Sequence, residues 1–265
     1  MAMYKKKVYK KKVVKSKRRP KVGLATVKSI VKRAVARNIE NKTYSTYFSN
    51  QPIYPSTHVN FQSSINPVSP FSGYMNIVQG ITQGTRIGNT IKIKALNFKY
   101  VLCPTPYNPV TNSQPSPTEV ILWIFYDKSN PVNLPTMGSD FLQLGGSATP
   151  LQNSLIDCTA PINTDRYKVV YRKIHKLGYS TFSGSGGNPS AGNYANNDYK
   201  ISIKGSVNLM PYIVKNVKFN DNNPTPTTRG LFAVFQAVRS VNSNYTSDQI
   251  PCMAIITSDM HYEDA

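Results

Sequence analysis

Acidic side chains are scarce in this sequence. Twelve Asp and Glu stand against 32 Lys and Arg, giving a formal net charge of +20 over 265 residues. So few carboxylates leave little material for a carboxylate metal site. Cysteine is rarer still. Cys103, Cys158 and Cys252 are widely spaced, odd in number and form no C-x-x-C pair, which argues against a disulfide framework and a thiolate metal site. Buried free thiols in a reducing compartment are the reading that remains. The three histidines, His58, His175 and His261, have no H-x-H or H-E-x-x-H neighbours. His175 is in phase with Tyr171 and Leu177 and reads as a half-buried structural residue. No G-x-S-x-G elbow is present. The glycine-rich stretch 183–187 lacks a following G-K-[ST], so it reads as a flexible loop and not a phosphate cradle. No catalytic residue, metal ligand or cofactor is expected, and the chain is not expected to be an enzyme. No run approaches the roughly 18 apolar residues that span a bilayer. Lys5–Lys7 is followed by no apolar stretch of signal-peptide length. Membrane insertion is therefore not expected, and the chain reads as a product of the cytosol.

What the sequence does have is positive charge in one place. Residues 1–42 hold 16 Lys and Arg against the single acid Glu40, a net of +15, while 43–265 hold 16 against 11, a net of +5. Such asymmetry marks a polyanion-binding arm (1–42) on a more ordinary globular body (43–265). The cations of the first half are Lys5, Lys6, Lys7, Lys10, Lys11, Lys12, Lys15, Lys17, Arg18, Arg19 and Lys21. Charges this dense repel one another, and a few valines cannot offset chain entropy, so 1–21 is expected to be disordered until it meets nucleic acid. Lys17, Arg18, Arg19, Pro20 and Lys21 also have the form of a nuclear import signal. Over 24–39, Leu24, Val27, Val31 and Val35 recur at helical spacing. With Lys28, Lys32, Arg33 and Arg37, this segment reads as a short basic amphipathic helix.

The body is rich in Pro, Asn, Ser, Thr and Tyr, which favours strands and turns. Strands are expected within 43–49, 57–64, 85–102, 119–127, 166–177, 198–208, 212–219, 230–239 and 252–257. The second of the long ones changes phase near Ala95, as a bulge would make it. The near-continuous apolar runs 119–127, 230–239 and 252–257 fit central strands covered on both faces. A short helical turn is expected at 135–143. Asp259, Glu263 and Asp264 read as a solvated acidic tail. No second core is evident. Loops rich in Pro, Gly, Asn and Ser at 103–118, 183–197 and 220–229 are candidates for an outer surface. The expected architecture is all-β: a single eight-stranded jelly roll of two four-stranded antiparallel sheets behind a basic disordered and helical arm.

A second set of cations alternates along strands: Lys92 and Lys94 on one, Arg166, Lys168 and Arg172 on another, Lys200 and Lys204 on a third. Period-two geometry puts each set on one face. Ordinary solvated sheet faces account for them; if the strands are neighbours, they merge into a second basic surface.

The order of features then resembles a known group. A Lys/Arg-rich arm, a basic helix leading into IENKTY (39–44), GTRIGNTIKIKALNFKYVL (84–102) and ILWIFYDKSNPVNLPT (121–136) is similar to the capsid proteins of small circular single-stranded DNA viruses that encode a replication initiator, the circovirus-like group among them. The R-x-G-x-x-I stretch and the FYDK ending carry most of the match. The resemblance implies a jelly roll self-assembling into an icosahedral virion shell of roughly 60 copies, of the T=1 kind, with arms directed inward onto single-stranded viral DNA. It also implies a host import receptor, a cell-surface receptor, and a stay in the host nucleus during assembly. In jelly-roll lettering, 43–64 is B, 85–102 C, 119–127 D, 166–177 E, 198–208 F, 212–219 G, 230–239 H and 252–262 I. The sheets are then B-I-D-G and C-H-E-F. Roughly 60 arms of +15 would neutralise on the order of 1,000 nucleotides by sequence-independent counterion release. An RNA-virus coat protein and a non-capsid nucleic-acid-binding β-domain remain the alternatives, because basic arms do not distinguish RNA from DNA.

Overall fold

The computed structural model describes residues 23, 27–29, 40–56, 77–105, 108, 110–111, 117–128, 140–178, 200–224, 226–228, 231–239 and 249–264. The chain divides into two compact units, 1–39 and 40–265. Of the first unit, residues 27–29 are helical and exposed, within the segment 24–39 expected to be helix. The remainder of that expected helix, and the stretch 1–21, lie outside the described residues.

Among the described residues, the second unit is all-β apart from one 3-10 turn at Leu155–Cys158. Its strands are β1 (Glu40–Ile53), β2 (Thr90–Pro104), β3 (Thr118–Asp127), β4 (Leu142–Leu144), β5 (Ser147–Thr149), β6 (Tyr167–Leu177), β7 (Ile203–Asn208), β8 (Asn216–Lys218), β9 (Phe232–Arg239) and β10 (Cys252–Asp264). One sheet runs β1-β10-β2-β7, with β8 on the same side of β2 as a second short partner; the other runs β6-β3-β9; β4 and β5 form a hairpin of their own. All pairings between strands are antiparallel.

This order corrects the expected pairing. The strand at 85–102 pairs with the one at 252–262, not with 230–239, and 119–127 lies between 166–177 and 230–239. Apolar runs alone carry no partner information, so lettering every strand in chain order puts three strands, 85–102, 119–127 and 198–208, in the wrong sheet. Among the described residues of the segments expected at 198–208 and 212–219, Ile203–Asn208 and Asn216–Lys218 are strand. At 135–143, the described residues begin at 140 and lead into strand β4, not a helical turn. The strand expected at 57–64 lies outside the described residues.

Side-chain alternation fills the space between the sheets. Ile91, Ile93, Leu96, Phe98, Tyr100 and Leu102 of β2 meet Val120, Leu122, Ile124 and Tyr126 of β3 and Ala233, Phe235 and Ala237 of β9. Phe98 and Tyr100 both pack on Phe235, with ring centroids 6.1 and 5.2 Å apart. The phase change expected near Ala95 is present. His261 pairs with Ala95 and Tyr262 with Ile93, leaving Lys94 as the extra residue of a bulge.

A second core, unforeseen in the sequence, lies on the other face of the β6-β3-β9 sheet. Ile121, Trp123 and Phe125 of β3, with Phe232, Val234 and Val238 of β9, are covered by Phe141, Leu142, Leu151 and Ala160. The excursion 140–163 thus acts as a lid, and β3 is buried on both faces, as its unbroken run of apolar residues requires. The lid is tied down by ions: Arg166 donates to Asp140 at 2.7 Å and to Asp127 at 3.2 Å, and Tyr167 donates to Asp140 at 2.9 Å.

His175 is buried and shares a 2.8 Å hydrogen bond with the Tyr100 hydroxyl. Burial, with help from the Lys173 charge, holds its pKa down to about 4. A folded-state value below the unfolded one means stability is fully present above about pH 6.5 and is lost as pH falls toward 4. This group alone is expected to remove about 3 kcal/mol over that window. Chemical denaturation at pH 7, 5.5 and 4 should therefore show a shallower acid loss in His175→Leu than in the wild type; parallel curves would refute this. Across the sheet, Gly205 faces Tyr100, and a Cβ at Gly205 would overlap the Tyr100 ring. Gly205→Ala is expected to cost about 1–3 kcal/mol in the same assay, and a neutral result would be inconsistent with that packing.

Candidate nucleic-acid interface

Of the fifteen arm cations expected to meet nucleic acid, Lys28 alone is among the described residues, and it is exposed. Lys5, Lys6, Lys7, Lys10, Lys11, Lys12, Lys15, Lys17, Arg18, Arg19, Lys21, Lys32, Arg33 and Arg37 lie outside them, as does Pro20 of the import-signal motif.

The border of the arm moves by a few residues. Glu40–Lys42, assigned to the arm on charge, belong to β1, paired with Asp264, Glu263 and Tyr262. Lys42 is fully buried, and its ammonium donates to Asp264 at 3.1 Å. The Asp264 carboxylate also accepts from the backbone N–H of Ile87 and of Gly88. Asp264 is therefore no part of a solvated tail; β10 carries it into the middle of a sheet. Beside it, Arg86 of the R-x-G-x-x-I stretch is buried over the Phe219 ring, 4.5 Å from its centroid. Its guanidinium donates to the carbonyls of Ile77, Gly88, Asn220 and Asn223 and to the Asn89 side chain. Arg86 organises two loops and has no donor left over for a phosphate.

The seven strand cations do not form one face. Arg172 lies 4.6 Å from the Trp123 ring centroid and donates to the Asp157 carbonyl, on the lid side of its sheet. Lys168 lies on the opposite side. The register of β6 against β3 shifts between Tyr171 and Val169, and the bulge at Val170 reverses the phase that period-two counting assumed. Lys168 instead edges a groove of about 440 Å³ with Tyr126, Val170, Tyr212 and Ile213. Arg166 is committed to Asp127 and Asp140. Lys200 forms an isolated bridge with Leu177 at the strand end.

Lys92, Lys94 and Lys204 do share a surface, the outer face of the β1-β10-β2-β7 sheet. Lys99 and Lys218 join them there, unnoticed in the sequence because Lys99 follows the bulge and Lys218 sits on a three-residue strand. Lys92 and Lys94 flank Glu263 at 3.8 and 2.5 Å, and Lys99 meets Asp259 at 3.3 Å, yet their side chains remain 52, 42 and 57% exposed. Pairs this wet are worth at most about 1 kcal/mol each, so an arriving phosphate can displace them. Asp259 also accepts from Ser45 at 2.9 Å. No group of three or more potential metal ligands occurs among the described residues. The thiol of Cys158 donates to Glu119 at 3.1 Å, and burial pushes its pKa up to about 12, so it is an inert thiol at neutral pH.

In comparisons with known proteins, the chain matches no family model and no curated sequence.

The Lys42–Asp264 pair fixes where β1 enters the sheet. Asp264→Ala would leave a buried ammonium and two backbone donors without their acceptor, and is expected to cost about 3–5 kcal/mol. Urea unfolding measures it; a loss under 1 kcal/mol would show that the pair is not structural.

Proposed function

We propose that this chain is a viral capsid subunit that self-assembles into a small icosahedral shell and packages single-stranded DNA through its basic arm. The observation that carries the reading is the segregation of charge. A net of +15 lies in residues 1–42, ahead of an all-β body of net +5. A polycation of this kind binds phosphate by releasing counterions and needs no sequence recognition, which suits a protein that must cover a whole genome.

The strand order supports a jelly roll as the body. Lettered by pairing, β1, β10, β2 and β7 with β8 take the places B, I, D and G, and β9, β3 and β6 take H, E and F. No described strand takes the place C. The lid 140–163 is then the E–F connection. The role is structural, with the shell of roughly 60 copies as its product. The virion and, during assembly, the host nucleus are its proposed locations, with an import receptor and a cell-surface receptor as host partners.

Electron microscopy of the expressed chain, with nuclease treatment, tests the proposal. Uniform shells whose protected nucleic acid yields to DNase after disruption are expected. A stable monomer at physiological salt would sink the capsid reading, and protected RNA would turn it to an RNA-virus coat. Deleting residues 1–21 is expected to leave the unfolding midpoint unchanged while removing most nucleic-acid binding.

A further inference from the structure

Five lysines lie on the outer face of the β1-β10-β2-β7 sheet, and the register places them in one line. Lys218 is opposite Thr90, Lys92, Lys94 and Lys99 follow on β2 itself, and Lys204 is opposite Val101. Eleven residues of β2 separate the ends, so the line runs roughly 35 Å along one strand. All five are exposed. The acids on this face, Asp259 and Glu263, are both on β10 and so flank the line on one side only. The other flank carries Ser206, Asn208 and Asn216, and Lys204 and Lys218 have no acidic partner among the described residues. Of the other strand cations, Lys42 is buried against Asp264 and Arg172 holds the lid, while Lys168 edges the groove on the second sheet.

One large side chain without a polar task stands on the same face. Tyr47 is 65% exposed, opposite Thr257, which is in turn opposite Lys99. Its ring lies two strands from the lysine line, about 10 Å away. No other exposed large hydrophobic side chain belongs to the strands of this sheet among the described residues. A protein partner would need an apolar centre to bind here. A flexible polyanion with flat bases needs cations in a row and a ring beside them.

We propose that this face is a second nucleic-acid contact: a lysine track along β2 that takes the phosphates of a single strand, with Tyr47 beside it as a stacking surface for a base. The proposal rests on the reading that this chain packages nucleic acid, and it adds a surface of the folded body to the arm. The track is non-specific, because it offers ammonium groups and one ring but no bidentate donor set to read a base edge. A ring that accepts an unpaired base also gives the body a preference for single over double strands, which a polycationic arm lacks.

The test uses the full chain and oligo-dT, with binding measured against salt. Each lost lysine–phosphate contact lowers the slope of log K against log salt by about 0.7 for a single strand, so Lys99→Gln, Lys204→Gln and Lys218→Gln together should lower it by about 2. Lys173→Gln, Lys176→Gln and Lys200→Gln remove the same charge from other surfaces and should change the slope much less. Equal slopes for the two triple variants would overturn the track. Tyr47→Ala should reduce the preference for oligo-dT over a duplex of equal length roughly tenfold, and Tyr47→Phe should keep it. An unchanged preference in Tyr47→Ala would overturn the stacking role. These measurements need soluble protein and no shells. A chain that never assembles but shows both effects would sink the capsid reading and leave the track standing.

Discussion

A buried carboxylate organises one end of the first sheet. Asp264 takes the ammonium of Lys42 and two backbone N–H groups of the 87–88 turn into one site that excludes water. An unpaired charge there would be prohibitive, so β1 and the loop before β2 must both be in place for β10 to seat. The Tyr262 hydroxyl reinforces this by donating to the Thr85 carbonyl at 2.8 Å. Arg86 then extends the order to 220–223 through carbonyls alone. The register that results carries Glu263 and Asp259 outward beside Lys92, Lys94 and Lys99. The geometry of the lysine line follows from an ion pair on the opposite face of the same sheet.

The two sheets use their cations differently, and the lid is the reason. Covering the outer face of β3 and β9 with 140–163 gives Trp123, Phe125 and Phe232 a second core, but the excursion is long and mostly irregular. It is held by directional contacts. Arg166 binds two carboxylates, Arg172 spans the Trp123 ring and the Asp157 carbonyl, and Asp157 accepts from Gln236 and from the backbone of Gln152 and Asn153. Burial nevertheless raises the Asp157 pKa, against those hydrogen bonds and the Arg172 charge. Planar guanidinium groups suit such forks and stacks, whereas lysine is a flexible point charge. The two cations that hold the lid are accordingly both arginines, whereas those on the open face of the other sheet are lysines.

Much of the fold was legible because it depends on local pattern. The apolar runs on β3 and β9 do lie in doubly covered strands, the phase change at Ala95 is a bulge, and His175 is a structural residue. Pairing was not legible. A strand carries the same alternation whichever neighbour it takes, so neither the partner of the 85–102 strand nor the neighbours of the basic sets can be read from it. The bulge at Val170 had no sequence signal such as Gly or Pro, and it moved Lys168 to the face opposite Arg172. Lys42 shows the limit of charge counting: a cation at the end of a basic arm looked like part of it until its register with Tyr262 put it inside the sheet. Asp264 misled for the same reason from the other end.

Charge segregation has a further physical consequence. A net charge of +20 spread evenly over the body would set like charges against one another and destabilise the compact state. Concentrating most of it ahead of β1 removes that repulsion from the all-β unit. The body can then hold a few cations on one open face, at low cost, with Asp259 and Glu263 moderating them. On the proposed reading, those two acids would also weaken phosphate binding, which suits a track that takes any sequence. Strong, structurally fixed sites along a strand would trap the first segment to arrive. On the proposed reading, five lysines tempered by two carboxylates would give contacts that are individually weak and collectively oriented, and the arm would supply affinity without orientation.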